Sequence, residues 1–321
     1  MKKLIPTLCL LLLALMTTAC SPRSCLLEPT LGYTPQVCHI TTLPSAFPDL
    51  TPEERCSDWG KELLVGEKLA CELDLYRAIT AFKRAHILFA GEDNLEREQQ
   101  IEYGIFFSYY LGGRYQDALN NFECGTLTDV NAQFPAIREL LIAVYDSYMH
   151  TEQYPKAFRI LELIDACDTE IGVRLRTADS LVLGDLVAAK CLASDLPCEE
   201  VNLIEGFAQE YCCKKLSVRK AQTLNAILPG AGYYYVGQEK AAATSLIINT
   251  LFTAAAYTFF EKGNWAAGLI TTSLELGWYI GGINGAGLAA KEYNECIYNT
   301  LGKEMMIKGR LFPVLLFQTA F

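Results

Sequence analysis

The chain has 321 residues, 51% of them hydrophobic, and a formal net charge of −10 at pH 7, a length sufficient for about two domains. Residues 57–213 hold 13 Lys and Arg against 27 Asp and Glu, whereas residues 214–321 hold 10 against 6. The acidic excess argues against a nucleic-acid partner, because affinity for nucleic acid depends on Lys and Arg contacts with phosphates.

The first residues have the pattern of an export signal. A positive start is followed by an apolar run over residues 4–16, which is the right length for a signal sequence and short for a membrane-spanning helix. Small residues then lead to Cys20. The pattern predicts a signal peptide at residues 1–19 and a lipid on Cys20 that anchors the chain. Thr17 stands where leucine is usual in a lipobox, so ordinary cleavage after Ala19 is the alternative.

Residues 20–56 are predicted to form a linker, because prolines are frequent there and no helical period appears. The chain contains 13 cysteines, and an oxidising compartment would permit disulfides. Local candidates are Cys191 with Cys198, and the linker cysteines Cys25, Cys38 and Cys56. No metal site is predicted, since C-x-x-C is absent and the three histidines, His39, His86 and His150, stand apart in the sequence.

Residues 57–213 contain a repeated helical pattern. Three segments, starting at Leu75, Tyr115 and Tyr154, each place Ala three residues after the start and large apolar residues four and seven residues after it. This spacing predicts amphipathic helices. Another helix is predicted before the second and the third copy, over residues 98–111 and 136–149. A weaker fourth copy is predicted from Asp185 through Ala188 and Leu192.

The phrase YYLGGRYQDAL, at residues 109–119, resembles the junction between the two helices of a tetratricopeptide repeat. The resemblance implies stacked helix pairs, a superhelix and a concave face that binds peptides or proteins. The spacing of 39–40 residues exceeds the usual repeat length, which implies longer turns or a divergent relative.

Two long apolar runs follow, over residues 241–260 and 265–290, joined by a short polar break with one glycine. Each is long enough for a membrane-spanning helix, so residues 214–300 are predicted to be a membrane module with a two-helix transmembrane hairpin. The alternative is a glycine-rich helix pair inside a soluble domain. Residues 301–321 are predicted to be an apolar tail that packs on the hairpin or on the membrane.

Two sets of residues within the hairpin are candidates for helix contacts. Small residues at steps of four lie on one face of the second helix and predict close helix association: Gly277, Gly281, Gly285 and Ala289. The first helix has a polar stripe at Ser245, Asn249 and Thr253. Asn249 and Glu275 fall at a similar depth, so a hydrogen bond from protonated Glu275 to Asn249 is predicted. The alternative is that Glu275 faces a water-filled or protein-lined cavity.

The segment just before the hairpin contains several turn residues and is predicted to be re-entrant or interfacial rather than one continuous helix. Its motif residues, besides Leu228, are Pro229, Gly230, Gly232, Tyr235, Gly237 and Gln238. They resemble an LPGxG-type module of bacterial membrane proteins of unknown function. The resemblance implies membrane embedding and no activity. The preceding cluster Lys214, Lys215, Arg219 and Lys220 suits anionic headgroups or is an ordinary solvated helix end.

Export of the repeats conflicts with the charges around the hairpin. Its flanks carry more Lys and Arg than the 261–264 turn, whereas positive flanks usually stay in the cytoplasm. The hairpin is then either integral to the inner membrane against this bias, or docked on a protein or inserted shallowly from outside. Large domains translocate regardless of the bias, so export remains the prediction.

These patterns predict an all-α protein with a tetratricopeptide-like superhelix followed by a transmembrane hairpin. The predicted function is a non-enzymatic scaffold of the bacterial cell envelope, with exported, periplasmic repeats that bind proteins. The glycine face would form a homo- or hetero-oligomer, and no catalytic residue or cofactor is predicted. The alternative is a subunit of a transport or membrane-protein insertion system in which Glu275 works as an intramembrane acid.

Overall fold

The computed structural model describes residues 29–31 and 37–321, and nearly all of its regular structure is helical. The predicted signal peptide, Cys20 and Cys25 lie outside the described residues. The helices in chain order are α1 Pro52–Cys56, α2 Asp58–Cys71, α3 Leu75–Phe89, α4 Leu95–Leu111, α5 Tyr115–Cys124, α6 Ile137–His150, α7 Tyr154–Cys167, α8 Thr169–Val182, α9 Leu186–Ala193, α10 Cys198–Lys214, α11 Val218–Ile227, α12 Ala231–Val236, α13 Glu239–Glu261 and α14 Trp265–Lys308. Short 3₁₀ helices are Val37–Thr42, Thr126–Asp129 and Pro313–Leu316.

The described residues form two compact units. The helical unit consists of residues 37–205 together with residues 304–321. The hairpin unit consists of residues 29–31 together with residues 206–303. The helical unit has one extended core that is rich in aromatic side chains.

The same turn joins the two helices of each pair in the helical unit. Four residues adopt a positive φ at the equivalent point of this turn: Leu73, Gly113, Glu152 and Gly184. The N–H of the next residue then donates to a carbonyl five residues back, as from Arg114 to Tyr109 at 2.9 Å and from Gln153 to Tyr148 at 2.9 Å. This pattern is the Schellman end of a helix. Its fourfold recurrence makes the unit a helical-repeat-like structure.

The predicted repeat starts coincide with helices α3, α5 and α7, which begin at Leu75, Tyr115 and Tyr154. Their alanines three residues later, Ala78, Ala118 and Ala157, are fully buried. The two helices predicted between them are present as α4 and α6, with boundaries within a few residues.

The fourth copy is present in a register shifted by one residue. Helix α9 begins at Leu186, and Ala189 is its fully buried alanine rather than Ala188. Asp185 precedes the helix as its cap, because its carboxylate accepts the N–H groups of Val187 and Ala188 at 3.1 and 2.9 Å.

The end of the predicted linker belongs to the helical unit. Arg97 on α4 is buried and holds this segment by donating to the carbonyls of Pro48 and Asp49 at 2.9 and 3.0 Å. It also forms an ion pair with Glu54 at 2.9 Å, which lowers the pKa of that carboxyl group. Ile40 and Leu50 lie in the core. Residues 37–56 are therefore packed on the helical unit and are not a free linker. The sequence of this segment alone could not show this, because its apolar side chains are buried by residues distant in the chain.

The apolar tail packs in the core of the helical unit, and the prediction that it packs on the hairpin or membrane is wrong. The rings of Phe317 and Phe321 each lie 5.2 Å from the ring of Phe107. Glu139 accepts the N–H groups of Gln318 and Thr319 at 3.0 and 3.1 Å. Ala320 pairs with the segment at Ser45 in an isolated parallel bridge. Packing of its aromatic rings and hydrogen bonds to its backbone N–H groups thus hold the tail in place.

The ten described cysteines are unpaired and exposed. Cys191 and Cys198 therefore form no disulfide, and neither do Cys38 and Cys56, the two described members of the linker trio.

The hairpin unit contains a helical hairpin of α13 and α14, joined by a turn in which Gly263 has φ +74°. Only α13, with 23 residues, is long and apolar enough to cross a membrane among the described residues. The apolar half of α14 contains Glu275, tryptophans and several glycines, which lower its hydropathy. Helix α14 also continues past the predicted Ala290 to Lys308.

Candidate membrane and partner-binding sites

The LPGxG segment forms a tight helical corner. Helix α11 ends at Ile227, Leu228 is extended, and the short helix α12 follows. The side chain of Asn225 accepts the N–H of Gly230 at 2.8 Å. The expectation that this segment is not one continuous helix is confirmed.

The glycines of this motif are required by close packing. Gly230 has φ +93°, and a Cβ atom there would overlap the carbonyl of Ala242 on α13. A Cβ atom on Gly232 would overlap the carbonyl of Ala221 and lie 2.7 Å from the Cβ of Ala286 on α14. The two glycines therefore let helices α11 to α14 approach one another. Pro229 lies in the turn that precedes α12.

Gly237 ends helix α12 with φ +88°, and Gln238 then donates its N–H to Tyr233 at 2.9 Å. Tyr235 contacts the chain ahead of α11, because its hydroxyl accepts the N–H of Ser217 at 3.3 Å. The ammonium group of Lys220 lies 4.7 Å from the centre of the Tyr235 ring. These motif residues thus fasten α12 to its neighbours.

The basic cluster ahead of the hairpin has partners within the chain. Lys214 forms an ion pair with Glu210 at 2.6 Å, and Lys215 lies 5.6 Å from the ring centre of Tyr211. Both lysines are exposed. Their ammonium groups therefore remain accessible to anionic headgroups, which leaves both sequence interpretations open.

The predicted glycine face of α14 divides into two parts. Gly277 and Gly281 line an open groove of about 580 Å³ beside Ala241 and Thr244 of α13, and nothing lies within 4 Å of a Cβ built on Gly281. Gly285 packs against the Tyr233 hydroxyl, and Ala289 is buried beside Ala221. The half of the face at Gly285 and Ala289 therefore packs against other residues of the chain, while the half at Gly277 and Gly281 is open.

The predicted hydrogen bond between Glu275 and Asn249 is not formed. The amide of Asn249 donates instead to the Ser245 carbonyl at 2.6 Å, one turn back on α13. Asn249 Oδ1 and Glu275 Oε2 are both buried and without a hydrogen-bond partner. Of the predicted polar stripe, Ser245 and Asn249 are buried and Thr253 is exposed. The hairpin thus holds two unsatisfied polar atoms within its apolar region.

Around these polar groups, large apolar side chains face outward on both helices. Members of this exposed band, between 41% and 69% exposed, are Leu246, Ile247, Leu251, Tyr257, Trp265, Leu269, Ile270, Leu274, Leu276, Trp278 and Ile280. Soluble monomers rarely leave a contiguous apolar surface of this kind uncovered. The band is therefore the candidate membrane-contacting surface.

The helical unit contains a cluster of acids and phenols that the sequence did not single out. Asp146 on α6 accepts the hydroxyl of Tyr110 at 2.8 Å and lies 3.5 Å from His150 Nε2. Asp179 on α8 accepts the hydroxyl of Tyr145. Burial raises the pKa of Asp179 to about 7 and lowers the pKa of His150.

Asp146, His150 and Asp179 border a small pocket of about 120 Å³. Its other lining residues include Met149, Val182, Leu183 and Phe312. The pocket presents two carboxylates within an apolar surround. The sequence signal was slight, because Tyr145-Asp146 and Asp179 lie in different repeats and look like ordinary helix residues.

The helical unit also exposes large apolar side chains on its repeat helices. Tyr76, Val187 and Phe158 are 78%, 82% and 54% exposed. Phe158 was predicted to lie on the buried face of α7, but its side chain is exposed. Its equivalent Leu119 on α5 is fully buried, so the repeats share a backbone pattern but differ in what they present. These residues are candidate partner contacts.

The chain is thus an all-α, helical-repeat-like protein, and within residues 29–31 and 37–321 one helix is long and apolar enough to span a membrane. The tetratricopeptide and LPGxG resemblances rest on the sequence motifs. No protein-family model, curated protein or solved structure matches the chain.

Proposed function

We propose that the chain is a non-enzymatic, membrane-anchored scaffold of the bacterial cell envelope whose helical repeats bind protein partners. The observation that carries the proposal is the exposed apolar band on α13 and α14. Burying such side chains in lipid is favourable, since water does not have to be ordered around them. In this proposal Cys20 carries a second anchor, and the repeats are exported.

The repeats would act as divergent tetratricopeptide repeats. The recurring turn at Leu73, Gly113, Glu152 and Gly184 supports this, because it keeps each helix pair in the same arrangement. Exposed side chains such as Tyr76 and Val187 offer apolar contacts to a protein partner. The open groove at Gly277 and Gly281 is where the glycine face would meet another helix.

The test separates the membrane contact from the partner contact. Membranes are prepared from cells that make a Cys20→Ser chain, so that lipid on that residue cannot retain it. The chain is expected to stay with the membrane after carbonate washing. Leu251→Lys with Ile270→Lys is expected to move it to the soluble fraction, because charge within the hydrocarbon region is costly.

The matched variant carries the same two lysines on the helical unit, as Tyr76→Lys with Val187→Lys. It is expected to remain in the membrane and to lose crosslinked protein partners identified by mass spectrometry. Membrane retention of the Leu251→Lys, Ile270→Lys chain would contradict the membrane proposal. Unchanged crosslinks in the repeat variant would contradict the partner surface.

The second candidate function is a subunit of a transport or membrane-protein insertion system. It is favoured by the unpartnered Asn249 Oδ1 and Glu275 Oε2 within the apolar hairpin. Buried ionisable groups in a membrane helix usually serve a pathway or a partner. Loss of cellular function in Glu275→Gln, with membrane retention and crosslinks intact, would favour this candidate over the scaffold.

A further inference from the structure

A histidine on α3 and two glutamates on α4 meet near the connection between these two helices. His86 lies in the last turn of α3, and Glu98 and Glu102 lie one turn apart on α4. His86 Nε2 is 3.8 Å from Glu98 Oε1 and 3.5 Å from Glu102 Oε1. One ligand atom from each of the three lies within 4.8 Å of the others.

These separations fit ligands around a metal ion better than a direct hydrogen bond. An N–H···O hydrogen bond has a donor–acceptor distance of about 2.7–3.2 Å. A tetrahedral zinc ion about 2.1 Å from each ligand atom holds those atoms about 3.4 Å apart. Small side-chain rotations of His86 and Glu98, which are both partly exposed, would bring all three atoms to that spacing.

Glu102 is held in the orientation that a metal ligand needs. It is 5% exposed, and its Oε2 accepts the N–H and the hydroxyl of Thr126 at 2.7 and 2.9 Å. These bonds fix the carboxylate and leave Oε1 directed toward His86. Outer hydrogen bonds of this kind commonly orient the carboxylate ligands of metal sites.

The chain makes room for this carboxylate at Gly125. A Cβ atom on Gly125 would overlap Glu102 Oε2, so a larger residue would displace the carboxylate from Thr126. Glu102 also has no ion pair with Lys or Arg among the described residues, while the Glu98 carboxylate and the His86 imidazole lie beside it. A divalent cation would neutralise the two carboxylates.

From this geometry we propose that His86, Glu98 and Glu102 bind one first-row divalent transition-metal ion, with Thr126 positioning Glu102. An imidazole with two carboxylates suits zinc and its neighbours in the series, whereas calcium requires six or more oxygen ligands. The partial exposure of His86 and Glu98 leaves a fourth position for water. The ion would tie the end of α3 to α4 and the Thr126–Asp129 turn.

Zinc is the probe for the test. The full chain is purified in detergent, stripped with a chelator, and treated with iodoacetamide, because its exposed cysteines would otherwise bind zinc. Calorimetric titration is expected to show one tightly bound zinc ion per chain. Thermal unfolding is expected to shift upward with zinc, since a ligand that binds only the folded state stabilises it.

His86→Ala is expected to abolish this tight binding, and Glu98→Gln, at a partly exposed position, to weaken it at least tenfold. Thr126→Val removes one orienting bond and is expected to weaken binding about tenfold. Glu96→Gln changes an exposed carboxylate on the same helix and is expected to bind as the wild type does. Circular dichroism verifies that each variant is folded. Absence of the tightly bound zinc ion, or equal affinity in His86→Ala or Glu98→Gln, would overturn the proposal.

Discussion

Asp179 makes the stability of the helical unit depend on pH. Burial raises its pKa from 3.8 to about 7, and nearby Asp146 adds to the shift, while the hydroxyl of Tyr145 opposes it. The folded chain therefore binds this proton more tightly than the unfolded chain. The stability that the proton contributes is fully present below about pH 4 and is lost as pH rises through about 7.

The pH dependence of stability is compared between the wild type and Asp179→Asn. The asparagine keeps a side-chain oxygen that can accept the hydrogen bond from the Tyr145 hydroxyl. Between about pH 5 and 7.5, the free energy of unfolding of the wild type is expected to fall by about 2.5 kcal/mol more than that of the variant. Urea unfolding at both pH values measures it. Parallel pH profiles for the two proteins would show that Asp179 ionises normally in the folded chain.

In the repeated turn, introducing a glycine and removing one are expected to change the stability of the helical unit in opposite directions. Glu152 is exposed and holds φ +59°, a conformation that is unfavourable for any residue with a Cβ. Glu152→Gly is therefore expected to stabilise the helical unit by about 0.5–1 kcal/mol. Gly113 has φ +70° and free space around it, so Gly113→Ala is expected to destabilise the unit by about 1 kcal/mol.

Urea midpoints of the two variants and the wild type measure these changes. Because both turns have the same hydrogen bonds, a common sign for the two substitutions would mean that the turns are not equivalent.

The repeat helices were predictable because their signal is local. Ala118 and Leu119 follow Tyr115 at the spacing of one helix face, and both are buried where that spacing places them. Features that depend on distant residues were not predictable. Phe321 meets Phe82 and Phe107, and His86 meets Glu98 and Glu102, only after the helices have packed.

Two joined helices lie where the transmembrane hairpin was predicted, but among the described residues only α13 is long and apolar enough to cross a membrane, and the predicted polar contact is not formed. Spacing placed Asn249 and Glu275 at one depth, but the rotation of each helix about its axis decides which side chains meet. Asn249 satisfies its amide on its own helix, one turn back. Membrane insertion of the hairpin and the lipid on Cys20 stay predictions.

The stability of the helical unit depends on a contact between two parts of the chain that lie far apart in sequence, residues 37–205 and the final segment. Phe317 and Phe321 are buried in its core, and Glu139 accepts two N–H groups from the same segment. Removing one buried Phe side chain costs about 3–5 kcal/mol, whereas a domain has a net stability of about 5–15 kcal/mol. Ending the chain at residue 310 is therefore expected to unfold the helical unit, and Phe321→Ala to destabilise it by about 3 kcal/mol.

Limited proteolysis with circular dichroism of the full chain tests this, and Phe158→Ala is the control because Phe158 is 54% exposed. The control is expected to match the wild type in both measurements. A truncated chain that resists protease as the wild type does would show that residues 37–205 fold without residues 311–321. If truncation unfolds them, the repeats acquire their partner-binding surface only after residues 311–321, which follow α14, have been made.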